Sequence, residues 1–232
     1  GLERYARAPR LSENELIWER LDSSAPETSI IRTVEEPFSP EGGLRVIEGN
    51  LGRGILKTSA LNDPSVVVQA PALVFDSQFD LIDAFDQNQL NRDFVAVVRF
   101  QGPQANGMPE LHKLIPILSA VMERGYQVAL VTDGRLSGAS GKVPAAIHLC
   151  PEAAAGGPIA KIQNGDWIRL DAATGELVVE VPQDDWLQRK ALPDLSEGEV
   201  IGCGRELFTP LRRQLSSAEE GASLFHPSQE IQ

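Results

Sequence analysis

The spacing of apolar residues changes period several times along the chain, and each change marks an expected element. DFVAVVRF (93–100) is almost continuously apolar and β-branched, which predicts a buried strand. In ELHKLIPILSAVMERG (110–125), Leu111, Leu114, Ile115, Leu118, Val121 and Met122 recur at helical spacing, predicting a helix with one apolar face. Gly125 stands where that helix needs a C′ residue. YQVALVT (126–132) predicts a further strand, so 93–132 reads as strand, loop, helix, strand, a right-handed crossover between parallel strands. VPAAIHLC (143–150) is another apolar run, and NGDWIRLDAATGELVVEV (164–181) predicts a hairpin turning at Ala173-Thr174-Gly175.

The flanking segments are less regular. LSENELIWERL (11–21) offers Ser12 as an N-cap with Glu15 three residues on, which predicts a short helix, ended by DSSAPETS (22–29). GGLRVIEGNLGRGILKTSAL (42–61) breaks into short β-like runs between glycines. SVVVQAPALVF (65–75) predicts a strand interrupted by Pro71, and DSQFDLIDAFDQ (76–87) a helix with Phe79, Ile82 and Phe85 on one face. GRELFTPLRRQLSSAEEGASLF (204–225) predicts a helix and an ordered turn. Strands outnumber helices, so the expected class is a β-rich α/β, barrel-like domain with a few flanking helices. The expected organisation is an N-terminal arm or linker (1–30), the main domain (31–225) and a frayed tail (226–232).

Composition narrows the function classes. A net charge of −12 and a sequence pI near 4.7 argue against nucleic acid or an anionic membrane as partner. A local basic pocket for a small anion stays compatible with them. No run of eighteen apolar residues and no leader pattern is seen, so a cytoplasmic location is expected. The chain opens Gly1-Leu2-Glu3 without methionine, which reads as a domain taken from a longer chain. Cys150 and Cys203 read as two reduced thiols, and with three histidines they form no zinc-site spacing.

The candidate chemistry lies in ALVTDGRLSGASGKV (129–143), where a strand runs into a glycine-rich loop. A phosphate-binding P-loop fits Gly141-Lys142, but Leu136 replaces the first glycine and Val143 the hydroxyl residue. A nucleophile elbow fails as well, because neither Ser137 nor Ser140 has glycines at both required offsets. Two readings remain: a loop lining a ligand cleft, or a tight connection that only needs glycines.

VTDGRLSGASGKVPAAIHLCPEA resembles the signature of the dihydroxy-acid dehydratase / 6-phosphogluconate dehydratase family. VVRFQGPQANGMPELHKL and GNLGRGILKTSAL upstream, and NGDWIRLDAATGEL and GRELF…SSAEEGA downstream, resemble further family motifs in the family's order, covering about residues 10 to 222. PFSPEGGL, the long helix-to-loop segment and GRELF resemble the 6-phosphogluconate branch. The dihydroxy-acid branch usually has Phe at the position of Leu136 and Gly-Thr at Ala139-Ser140. The resemblance implies the family's C-terminal, barrel-like domain, with the N-terminal domain as partner, homodimeric assembly, and an anionic sugar-acid phosphate as substrate.

The resemblance also implies site residues. Ser137 aligns with the serine proposed as the family's base, and Glu110 with the carboxylate given to Mg²⁺. An iron–sulfur cluster, of the 4Fe-4S type, is expected on cysteines of the N-terminal domain; Cys150 and Cys203 match none of its ligands. Asp133 and Arg135 flank the serine and either shape the loop or touch substrate. Ser140 and Lys142 are candidates for recognising the phosphate or sugar tail. His148 reads as a core or supporting residue, while Ser216 and Ser217 lie in a terminal motif without an assigned role. The alternatives are a dihydroxy-acid or sugar-acid dehydratase domain, or a non-catalytic binding or dimerisation module. Retention of both Ser137 and Glu110 favours descent from an active enzyme, although the chain alone is expected to be inactive.

Overall fold

The computed structural model describes residues 6–21, 28–58, 61–137, 142–192 and 204–225, in two units, 1–42 and 43–232. The first unit holds an antiparallel hairpin, β1 (Arg7–Ser12) and β2 (Glu15–Arg20). The helix expected over 11–21 is therefore not formed. Glu13 and Asn14 both take positive φ, 50° and 67°, making the two-residue primed turn that matches strand twist. Ladder pairing from Arg7↔Arg20 to Ser12↔Glu15, with an Arg10–Glu19 ion pair across it, outweighs the capping signal.

The second unit is a closed eight-stranded barrel. Its strands are β3 (Leu44–Gly49), β4 (Gly52–Lys57), β5 (Val67–Phe75), β6 (Phe94–Val98), β7 (Val128–Thr132), β8 (Ala145–Cys150), β9 (Trp167–Asp171) and β10 (Glu176–Val179). Their order around the barrel is β10-β3-β4-β8-β7-β6-β5-β9. β5 to β8 are parallel neighbours, and the remaining pairs are antiparallel except β10–β3. The valine run of β6 buries both faces: Val95 and Val97 fill the interior with Ala129, Val131, Ile47 and Leu170. Phe94, Ala96 and Val98 face the opposite way into a second cluster. An eight-stranded barrel is just wide enough to be filled by such side chains, so its inside is core and not channel.

The outer cluster is completed by α1 (Gln78–Asp86) and α3 (Leu114–Glu123). Leu114, Ile115, Leu118 and Val121 are the buried stripe of α3, as their spacing predicts. The helix starts four residues after Glu110, and the Leu111 N–H is bound to the Arg135 carbonyl at 3.3 Å. Gly125, at φ 95°, terminates the helix. In α1 the Ser77–Asp80 capping box is present, but the buried residues are Leu81 and Ala84. Ile82 and Phe85 are partly buried, and Phe79 points outward, 60% exposed.

β5 runs unbroken through Pro71, because the strand changes partner there. Residues 67–71 pair with β9 and residues 72–75 with β6. Ala72 N–H still donates to the Asp166 carbonyl on the β9 side, so the proline nitrogen faces the other side, one residue before the β6 pairing begins. The hairpin β9–β10 turns at 172–175 as expected. Among the described residues the unit also holds three short helices, α2 (Pro103–Asn106), α4 (Gln183–Gln188) and α5 (Thr209–Arg212), with 3₁₀ turns at Ala153–Ala155, Pro158–Lys161 and Arg205–Phe208. No helix among the described residues is long and apolar enough to cross a membrane. Residues 226–232, with the tail expected to fray there, lie outside the described residues.

The two faces of α1 should separate cleanly in urea unfolding. Leu81→Ala is expected to cost about 2–5 kcal/mol, and Phe79→Ala to stay within about 0.5 kcal/mol of the parent.

Candidate functional site

The C-terminal ends of β6, β7 and β8 open at the same end of the barrel, and the loops leaving them are tied together by one carboxylate. Asp133 follows β7 with no exposed surface. Its oxygens accept the backbone N–H of Gln101 (2.9 Å), Phe100 (3.2 Å) and Ala153 (2.9 Å). The loops after β6, β7 and β8 thus share a single anchor. Phe100 reaches it with φ 60°, a left-handed conformation that costs a phenylalanine energy and aims its N–H inward.

A second buried carboxylate supports the first. Glu152, 5% exposed, accepts the N–H of Gln104 (2.9 Å) and Ala105 (3.2 Å) at the start of α2. The N-cap of α2 is Gly102, which has no side chain to do this. Glycine is required there, since a Cβ would come within 2.2 Å of Glu152 Oε2. Gly134 is constrained similarly, its notional Cβ lying 2.7 Å from Gln101 Cβ and 2.9 Å from Leu111 Cδ1.

On this frame Glu110 and Ser137 meet. Glu110 and Arg135 form a one-residue parallel bridge, and Glu110 Oε1 accepts the Ser137 N–H at 2.8 Å. Arg135 Nη1 lies 3.7 Å from Glu110 Oε2, and its Nε donates to the Met108 carbonyl at 2.7 Å. Glu110 is half-buried, while Ser137 and Arg135 are exposed. His148 closes the arrangement on the β8 side: its N–H donates to the Gly134 carbonyl at 2.9 Å, and its φ is 56°. Burial holds the His148 imidazole below its ordinary pKa, and the Arg135 charge adds to this. Phe100, Met108 and His148 are thus three non-glycine residues with positive φ at one end of the barrel. Such strain is retained where surrounding structure over-determines it.

The residues singled out from sequence divide into groups. Glu110, Arg135 and Ser137 are brought together. Asp133 lies beneath them, its carboxylate turned to backbone donors, which supports the loop-shaping role of the two left open for it. Lys142 is exposed and makes no hydrogen bond or ion pair with the described residues. Ser140 and Cys203 lie outside the described residues, and Cys150 is a buried free thiol. Glu152 is the contributor that sequence reading passed over, while His148, read there as a core or supporting residue, stands beside the site. The side-chain-free cap at Gly102 is the one local hint that an acceptor must arrive from elsewhere.

The sequence model described as dihydroxy-acid/6-phosphogluconate dehydratase C-terminal matches residues 29–222. The chain belongs to this family. It is 54% identical over 228 residues to the phosphogluconate dehydratase of Pseudomonas aeruginosa, covering 98% of this chain and 37% of that protein. The phosphogluconate dehydratase of Escherichia coli K12 is 51% identical over 224 residues, with 96% and 37% covered. A dihydroxy-acid dehydratase of Agathobacter rectalis is 36% identical over 208 residues, with 88% and 36% covered. The chain thus spans little more than a third of the length of these relatives.

Candidate cofactor ligands follow from the donor set. No three His, Cys, Asp or Glu side chains converge among the described residues. Glu110 offers one hard carboxylate at the barrel mouth, with lone pairs beyond the Ser137 contact, and fits as a single ligand of a divalent cation.

Asp133 gives the site a pH signature. Burial, and secondarily the Glu152 charge, push it up to about 6 against the lowering effect of the backbone N–H donors. Its native pKa lies above its unfolded value, so its stabilising contribution is complete below about pH 4 and is lost as pH rises through 6. In urea unfolding, the stability gap between parent and Asp133→Asn should shift by about 2 kcal/mol from pH 4 to pH 7. A gap independent of pH would show that Asp133 titrates normally.

Proposed function

We propose that the chain is the C-terminal domain of a 6-phosphogluconate dehydratase, a cytoplasmic hydro-lyase of gluconate metabolism. The enzyme removes water from 6-phosphogluconate to give 2-keto-3-deoxy-6-phosphogluconate. The observation that carries this reading is the 2.8 Å hydrogen bond from Ser137 N–H to Glu110, which joins two family motifs 27 residues apart. The substrate choice is supported by the names and identities of the relatives, about half identical for phosphogluconate dehydratases against 36% for the dihydroxy-acid enzyme.

On this reading Ser137 is the base. Its hydroxyl, ionised to the alkoxide, takes the proton from C2 of the substrate and becomes a hydroxyl again, the C–H electron pair becomes the C2–C3 double bond, and the C3 hydroxyl leaves with its bonding pair, so that proton and hydroxide together amount to one water. The enol then takes a proton at C3, loses the one on its C2 oxygen and becomes the ketone. Glu110 positions the serine by holding its peptide N–H, and Arg135 partly balances the carboxylate charge. A divalent cation on Glu110 would supply positive charge that makes ionisation of a serine hydroxyl affordable and steadies the enolate. The iron–sulfur cluster is assigned to the N-terminal domain, which is the partner of this one, and the full-length enzyme is taken to be a homodimer. Lys142 and Ser140 remain the candidates for the phosphate end. Asp133 acts beneath the site as the clamp of its three loops.

The test is turnover of 6-phosphogluconate by the full-length enzyme under anaerobic conditions. Ser137→Ala is expected to lower kcat at least 10²-fold with iron content unchanged. Glu110→Gln should lower turnover and weaken the dependence on added Mg²⁺. The present chain alone should show no activity. Near-normal turnover by Ser137→Ala would move the base to the other domain.

A further inference from the structure

Beside the Ser137 loop is a cavity of about 290 Å³ lined by Val46, Arg53, Gly54, Ile55, His148 and Glu219, with Ala218 at its rim. That volume is at the small end for ligand sites, suited to a chain of a few carbons. Its polar wall comes from three separate elements. Arg53 lies on β4 next to an irregularity in the β4–β8 register between Arg53 and Ile55. His148 lies opposite on β8, where its positive φ departs from regular strand geometry and its half-buried side chain forms part of the wall. Glu219 belongs to the turn 216–222, ordered by Ser217 N–H to Glu220 Oε2 (3.1 Å) and Ser216 N–H to the Ser223 carbonyl (3.0 Å). The Cys150 thiol at the end of β8 lies close to the peptide groups of Ala218 and Glu219 in this turn.

Charge decides what the cavity can take. Arg53 is matched by two carboxylates, Glu48 at 3.0 Å and Glu219 at 3.5 Å, and His148 tends to be neutral. The wall is therefore not cationic, and a phosphate there would face Glu219. It does combine acceptors and donors in close reach, which is the requirement of a row of hydroxyl groups. Distance is also favourable: His148 is bonded to Gly134, and three residues of chain, at most about 10 Å, separate Gly134 from Ser137.

We propose that this cavity is the subsite for the hydroxylated carbon chain of the substrate beyond C3, with Glu219, His148 and Arg53 bonding its hydroxyl groups. The inference rests on the proposed dehydratase reading, and assigns the 216–222 turn a part in selecting polyhydroxy acids over acids with apolar chains.

Full-length enzyme carrying Glu219→Ala or His148→Asn tests it, asparagine being chosen because it tolerates positive φ. Each variant should raise KM for 6-phosphogluconate about ten-fold while kcat falls less than about three-fold. Inhibition by glycerate, which has the acid and both reacting hydroxyls but no further chain, should be unchanged. Unaltered KM in both variants, or equal weakening of 6-phosphogluconate and glycerate, overturns the subsite and leaves the dehydratase reading standing. An unmodified enzyme that does not dehydrate 6-phosphogluconate overturns both.

Discussion

The Asp133 carboxylate, buried and shared among three backbone N–H groups, is the constraint on which the candidate site depends. Parallel strands end in loops that have no ladder to join, and their first peptide groups must find acceptors or stay costly. Asp133 answers this for the segments after β6 and β8 from its own place after β7. Glu152 extends the same solution to the first turn of α2. Two buried acids are expensive to desolvate, and the upward shift of Asp133 records that cost. They anchor the segments that lead to Glu110, Arg135 and Ser137.

Above this frame the described residues offer few chemical groups. Glu110 is one carboxylate and Ser137 one hydroxyl, and no third ligand converges on them among the described residues. A family whose members are almost three times as long as this chain has room for the remaining groups elsewhere. On the proposed reading the barrel end is one wall of a shared site, with Ser137 exposed above the Asp133 anchor. The neighbouring cavity adds a face with hydroxyl-bonding character at the same end.

Legibility from sequence followed the range of the interactions. The β6 valine run, the α3 stripe, β7 and the β9–β10 hairpin follow from local period, because burial on one or both faces repeats every two or 3.6 residues. The first hairpin was misread because Ser12…Glu15 satisfies a helix-capping pattern, while the deciding fact is that Glu13 and Asn14 accept positive φ. Phe79 fits a helical face by spacing yet points outward, since Leu81 and Ala84 are the residues that meet the barrel. Glu152 carried no recognisable motif of its own role; it is needed only because Gly102, 50 residues earlier, leaves α2 without a cap.

By itself the sequence determined the element types over most of the barrel, the family, and the pairing of a serine loop with a Gly-Met-Pro-Glu segment as candidate chemistry. Tertiary structure alone decided that the sheet closes through β10 and β3, that Asp133 faces backbone donors beneath the site, and that His148, Arg53 and Glu219 share one cavity. The physical reason is distance along the chain. Periodicity and capping act within one element, whereas closure, buried-acid anchoring and cavity walls depend on groups tens to more than a hundred residues apart, whose meeting is set by the register of the whole barrel.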